Sequence, residues 1–201
     1  MGLDVFSAGP IRCKHKSTNR ENPRVCEQPL DSKGLHALLC KLGGHIDRRH
    51  NKGRDCLAAL IDARVDSTVH IEQHTPDIAP DQRHPDIDFF DHEQRHVFVD
   101  IEVCTPHART GSRSGAVRRE GTLIETGEGI KRRKYRHLII VPAVCSHFGR
   151  FGKGVQSLLR LICRETDDAK RSSSFEDCYQ TLGSTIQKGN VALLGAAGTL
   201  L

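Results

Sequence analysis

The chain has 201 residues, a net charge of +5, twelve histidines and eight cysteines. That length carries one medium domain with a substantial core. The irregular cysteine spacing, with no apolar secretory segment at Met1 to Pro10, excludes a disulfide framework and indicates a reducing compartment, nuclear or cytoplasmic. The apolar stretch Val191 to Leu201 is too short for a hydrocarbon core of about 30 Å, so no membrane partner is expected, whereas basic clusters at 11–24, 47–54, 113–119 and 131–136 suit a polyanion.

Residues 1–25 mix Gly, Pro, Ser, Asn and basic side chains without periodicity and read as a loose arm. Residues 26–50 form a Cys/His element. His36 and Cys40 stand four apart and share a helix face, and Cys26 lies across a Pro29-Leu30-Asp31 turn, so the three could begin a tetrahedral zinc site. Structural zinc needs four closed ligands, and Cys13, His15, His45 and His50 stay open for the fourth. The competing reading makes Cys40 a core thiol beside Leu38, Leu39 and Leu42. His50 also suits a helix start or a phosphate contact.

From residue 51 to 194 the pattern alternates helical and strand periods. Leu57, Leu60, Ile61 and Val65 recur at helical spacing, and Ser67 to Gln73 then alternates, placing His70 and Glu72 on one face. His84-Pro85-Asp86 opens a short apolar run, Asp91 to Gln94 is a polar turn, and Val97 to Val103 alternates strictly, so the segment reads as a hairpin. Asp100 and Glu102 share a face opposite Val97, Val99, Ile101 and Val103. Mg²⁺ takes oxygen ligands, usually one or two carboxylates plus substrate phosphate, and Asp86 with Asp100 would suffice. The bland alternative is solvated hairpin carboxylates.

Thr110 to Gly129 is a glycine-rich, charged insertion that reads as a surface loop, with Arg113, Arg118 and Arg119 near the presumed cleft. A helix is expected from Gly129, with Lys131 and Lys134 on one side, then a buried strand Leu138 to Val144. Val155, Leu158, Leu159 and Ile162 mark one amphipathic helix, and Phe175, Tyr179, Leu182 and Ile186 mark another. A polar connector, Asp167 to Ser174, separates them, and 195–201 is a tail. Cys56, Cys104, Cys145, Cys163 and Cys178 read as buried thiols.

A helix, the Glu72 strand, the Pro85-Asp86 turn, the Asp100 strand and a lysine-bearing helix leading into a buried strand stand in an order that resembles the PD-(D/E)xK nuclease superfamily. More narrowly, the chain resembles the restriction-like endonuclease domain of non-LTR retrotransposons over roughly residues 26 to 194. Cys26 to Asp31 with Gly34 to Cys40 is similar to the Cys/His element that precedes that nuclease. Arg49-His50-Asn51 with Arg54-Asp55 resembles the start of its first core helix. Lys131, Lys134 and Tyr135 resemble its lysine helix, Phe148 to Gly152 its aromatic-glycine turn, and Gln187 to Asn190 its closing helix. The chain departs from the usual motif in carrying Glu102 where the strand lysine stands, and nothing in it resembles a polymerase core.

The resemblance implies an α/β fold with a restriction-endonuclease-like core, a mixed central β-sheet flanked by helices. It implies a DNA endonuclease that uses Mg²⁺ or Mn²⁺ and nicks its substrate, with structural Zn²⁺ in the Cys/His element. The catalytic set would be Glu72, Asp86, Asp100 and Lys131 or Lys134. Asp86, Asp100 and Glu102 would surround the Mg²⁺, and Cys26, His36, Cys40 and His50 would surround the Zn²⁺. Arg49, Arg54, Arg132, Arg133 and Arg150 would contact DNA, with RNA or a reverse-transcriptase chain as further partners. In such a site lysine orients the water or stabilises the phosphate, and a nearby cation would lower its pKa toward proton transfer. The alternative function is an inactive nucleic-acid-binding remnant.

Overall fold

The computed structural model describes residues 11–19, 21–31, 34–72, 84–105, 121–164 and 168–198. Of these, the residues within Met1–Lys52 and Ile186–Leu201 form one compact unit, and those within Gly53–Thr185 form a second. The division between Lys52 and Gly53 lies two residues from the expected boundary at 50, and the end of the last helix, from Ile186, belongs with the amino-terminal residues.

The second unit is built on one four-stranded sheet in the order β1 (His70–Ile71), β2 (Ile87–Phe90), β3 (His96–Cys104), β4 (Ile140–Ser146). The first three strands run antiparallel, and β4 joins β3 in parallel, so the sheet is mixed, with helices beside it. Alternation explains β3. Val97, Val99 and Ile101 are buried on one face, where Ile87 and Phe89 oppose Val99 and Val97. The other face carries His96, Phe98, Asp100, Glu102 and Cys104, opposite Phe90 and Asp88 on β2 and Ile140, Pro142 and Val144 on β4.

The β2–β3 turn is held by Asp91. Its Oδ1 accepts the Glu93 and Arg95 backbone N–H groups at 2.9 and 3.0 Å, and its Oδ2 accepts from Arg95 Nε at 2.8 Å. Burial pushes the Asp91 carboxyl up, but the hydrogen bonds from Arg95 and Glu93 outweigh it and leave its pKa below the ordinary 3.8. An acid lowered by folding stabilises the fold above its unfolded pKa and loses that contribution as pH falls below 3.8 through the folded value. Asp91→Asn is therefore expected to cost about 1–2 kcal/mol at neutral pH. In urea melts the gap to wild type should narrow in that acid window; a gap that does not change with pH would refute the account.

Helix α1 (Leu35–Leu39) and α2 (His45–Asp62) precede the sheet, with a 3₁₀ turn Leu42–Gly44 between them. Leu57 and Ile61 are fully buried, as their spacing implies. Helix α3 (Thr122–Lys134) lies between β3 and β4 in sequence and packs on both strands. It begins seven residues before the expected start at Gly129. One of the glycines that suggested a loop, Gly127, serves packing instead, since a Cβ on it would sit 3.2 Å from Val144 Cγ1 and 3.6 Å from Cys104 Sγ. The rest of the expected insertion, with Arg113, Arg118 and Arg119, lies outside the described residues.

Strand β4 also starts two residues later than expected, because Leu138 N–H closes a turn onto Tyr135 O after the fully buried Tyr135. Helix α4 (Lys153–Ile162) buries Val155, Leu158, Leu159 and Ile162 as its periodicity requires, and it packs on β4. Helix α5 (Asp168–Ala196) is continuous through the expected connector and into the expected tail. Lys170 to Ser173 are polar because they lie on its exposed face, while Ala197 just beyond it is buried with Cys13, Ala37 and Cys40. Among the described residues, no helix is long and apolar enough to cross a membrane.

Candidate functional site

In the second unit, the hairpin and the crossover through α3 bring Asp86, Asp100, Glu102 and Lys131 together. Asp86 stands one residue before β2, where its Oδ2 accepts the Ile101 backbone N–H at 2.6 Å, fixing the Pro85-Asp86 turn against β3. Asp100 and Glu102 project from the polar face of β3. Lys131, on the third turn of α3, reaches down to that face, its Nζ donating to Asp100 Oδ2 at 2.9 Å and lying 3.3 Å from Glu102 Oε2. Glu102 Oε1 in turn accepts from the Cys104 thiol at 3.3 Å.

Burial sets the electrostatics here. Asp86 and Asp100 are each 8% exposed, while the Glu102 side chain is 43% exposed. Desolvation raises the Asp100 pKa; Lys131 opposes that rise, the facing Asp86 carboxylate adds to it, and the net shift is upward. The Lys131 ammonium at 2.9 Å is the cation that faces this carboxylate pair. Burial alone would lower the Lys131 pKa, but Asp100 and then Glu102 outweigh it and hold Lys131 as an ammonium. This arrangement suits charge stabilisation or water orientation, and it is the reverse of the lowered pKa that proton transfer would want.

Other expected residues are placed elsewhere. Glu72 follows β1 with a φ of 51°, and its side chain, 61% exposed, pairs with Arg54. Leaving the extended conformation one residue after Ile71 removes it from the strand face it was assigned by alternation. Lys134 Nζ lies 4.2 Å over the Tyr135 ring and contacts its hydroxyl, so the two lysines diverge although they stand three apart. Arg49 is buried, donating to Asn190 Oδ1 at 2.8 Å, and Arg54 also pairs with Asp55 at 2.8 Å. Both, expected as DNA contacts, make these bonds within the protein. Arg132 is half exposed and pairs with Glu128, and Arg133 and Arg150 are exposed.

The polar face also carries a group that sequence reasoning passed over. Asp88 Oδ2 lies 3.1 Å from His70 Nδ1 and 2.9 Å from His96 Nε2, and His96 stacks on Phe90 at 4.6 Å. Register is what assembles it, since His70 pairs with Asp88 directly across β1 and β2.

The first unit holds a separate constellation. Residues 11–19 and 21–30 are paired back to back: Cys13 N–H donates to Gln28 O, Glu27 N–H to Cys13 O, Cys26 N–H to His15 O and Ser17 N–H to Arg24 O, all at 2.7–3.0 Å. The described residues of the basic arm are therefore paired, and they place Cys13 beside Cys26. Asp31 then caps α1, its two oxygens accepting Leu35 and His36 N–H at 3.0 and 2.9 Å, which fixes the turn that carries His36 and, one residue past the helix, Cys40.

The ligand atoms of Cys13, Cys26, His36 and Cys40 all lie within 4.8 Å of one another, with Cys26 Sγ 3.2 Å from His36 Nε2. Zinc with a Zn–S distance of about 2.3 Å needs ligand separations of roughly 3.4–3.8 Å, so this set could hold a metal such as zinc with small side-chain adjustments. Burial pushes the Cys13 thiol up and the Cys40 thiol up to about 12, so a bound cation would have to displace their protons. The fourth position is Cys13, not His50, which sits in α2, and not His15 or His45, which stack on each other at 4.7 Å. Cys40 is buried as the thiol reading requires, but its thiol faces three further donors. Among the described residues, this is the group of three or more His, Cys, Asp and Glu side chains that converges within that distance.

Neither a protein-family model nor a curated protein matches the chain.

Proposed function

We propose that the chain is a metal-dependent DNA endonuclease of the restriction-like type, hydrolysing one phosphodiester strand at the Asp86–Asp100–Lys131 face, and that it derives from a retroelement. The observation that carries this reading is the reach of Lys131 across from α3 to Asp100, beside the facing Asp86. The three-strand antiparallel meander, crossover helix and parallel fourth strand give it the scaffold that such a constellation needs. Asp86 and Asp100 would hold Mg²⁺ or Mn²⁺, with Glu102 at the more open side. When bound, that ion supplies an activated water and neutralises phosphate charge.

Lys131 keeps its proton and presents a positive charge where negative charge develops on the phosphate. Glu102 holds Lys131 from the second side, so a glutamate at the usual lysine position supports a lysine that arrives from the helix. The basic surface, including Arg133 and Arg150, grips the DNA backbone, and Cys13, Cys26, His36 and Cys40 would bind Zn²⁺ as a structural ion.

The test separates chemistry from grip. Lys131→Ala is expected to lower single-turnover nicking of supercoiled DNA about a hundredfold or more, with affinity and salt dependence nearly unchanged. Lys134→Ala, which loses a ring contact on Tyr135, should leave the rate within a few fold. If wild-type protein gives no Mg²⁺- or Mn²⁺-dependent cleavage of duplex, nicked, flapped or single-stranded DNA, and both substitutions only weaken binding, the chain is a binding remnant.

A further inference from the structure

The polar face of the sheet carries more than its carboxylates. Along β3 it runs His96, Phe98, Asp100 and Glu102, and at the His96 end Phe90 of β2 stands directly across the ladder. The Phe90 and His96 rings stack with centroids 4.6 Å apart and planes 18° from parallel, and the His96 ring lies 4.2 Å from that of Phe98. Three rings thus descend from surface to core. Phe98 is buried, whereas Phe90 is 39% exposed and leaves part of a flat apolar surface open beside the proposed active site.

The stack is held from both strands. The buried Asp88 carboxylate lies 2.9 Å from His96 Nε2 and 3.1 Å from His70 Nδ1, so contacts within the sheet set the plane of the His96 ring. The backbone of Phe90 is bracketed by Ser67, whose Oγ donates to Phe90 O at 2.7 Å and accepts the Phe90 N–H at 3.1 Å. A surface fixed in this way loses little further freedom when a flat partner settles on it.

We infer that Phe90 and His96 form a stacking platform for a nucleobase of an unpaired DNA strand crossing the carboxylate face, which rests on the endonuclease reading above and names its substrate class. Every base has a π face, so an aromatic platform holds a strand without reading its sequence. Two residues along a strand advance about 6.6 Å, which puts His96 about 13 Å from Asp100. DNA stacked as in a duplex advances about 3.4 Å per nucleotide, so the captured base lies within about four nucleotides of the metal position. Bases inside a duplex are stacked on one another. The platform therefore favours flapped or single-stranded DNA over a continuous duplex.

Full-length protein in chelator, titrated into a dye-labelled duplex and the same duplex carrying a single-stranded flap, tests this by anisotropy over a salt series. Phe90→Leu keeps an apolar side chain on the hairpin and removes the ring, so flap binding should weaken about tenfold, the scale of one stacked base. Duplex affinity and both salt slopes should stay unchanged, because stacking releases no counterions. Phe90→Trp should restore flap binding. A fluorescent purine analogue placed at successive flap positions should be quenched at one of them by wild type and at none by Phe90→Leu. Unchanged flap affinity in Phe90→Leu, or an equal loss on duplex and flap, would overturn the platform, and metal-dependent cleavage by the same wild type would leave the endonuclease standing. Quenching by a wild type that cleaves no DNA with Mg²⁺ or Mn²⁺ would keep the platform and overturn the endonuclease. Tighter, Phe90-dependent binding of a matching RNA flap would overturn the assignment to DNA.

Discussion

Asp100→Asn should abolish metal-dependent nicking while leaving DNA affinity within a few fold of wild type. The substitution keeps the shape of a side chain that is 8% exposed, removes one of two facing carboxylates, and deprives Lys131 of its closest charge partner at 2.9 Å. On the proposed role of Asp100 as a metal ligand, its loss is expected to lower the single-turnover rate by on the order of a thousandfold. Phosphate contacts come from Lys and Arg, so the salt slope of binding should not move. Asp86→Asn should lose activity to a similar extent, but it also weakens the bond to the Ile101 N–H and should melt earlier. Wild-type rates in both variants would rule out the carboxylate face as the active site.

The second large effect concerns the Cys/His cluster. Purified protein should carry about one zinc per chain, and Cys13→Ser or Cys40→Ser should release it and unfold the first unit, because the binding free energy of a structural zinc is folding free energy, about 10–16 kcal/mol in small zinc modules. His50→Ala should keep the metal, since Cys13, and not His50, converges with Cys26, His36 and Cys40. Zinc content by mass spectrometry and hydrogen exchange over residues 11–19 and 35–40 would read this out. A chain free of metal, with unchanged melting in both serine variants, would reduce Cys13 and Cys40 to core thiols.

Strand alternation in the sequence already separated Asp100 and Glu102 from the valine face of β3, because a period of two is a local property of the backbone. The same holds for α4, whose buried Val155, Leu158, Leu159 and Ile162 follow from spacing alone. Three members of the Cys/His cluster, Cys26, His36 and Cys40, were legible too, with Cys13 as one of four open choices for the fourth. What remained hidden depends on contacts distant in sequence. Glu72 leaves its strand at a positive φ to meet Arg54, and Lys131 and Lys134 part ways because Tyr135 offers one of them a ring. Gly127 of α3 resembles a loop residue until Val144 lies against it, and Arg49 is buried where Gly189 and Asn190 receive it. Cys13 was selected by a hairpin whose backbone bonds join residues 11–17 to 24–30. Local periodicity determined which face each residue occupies, while packing, hydrogen bonding and charge pairing across the fold decided which of those residues meet.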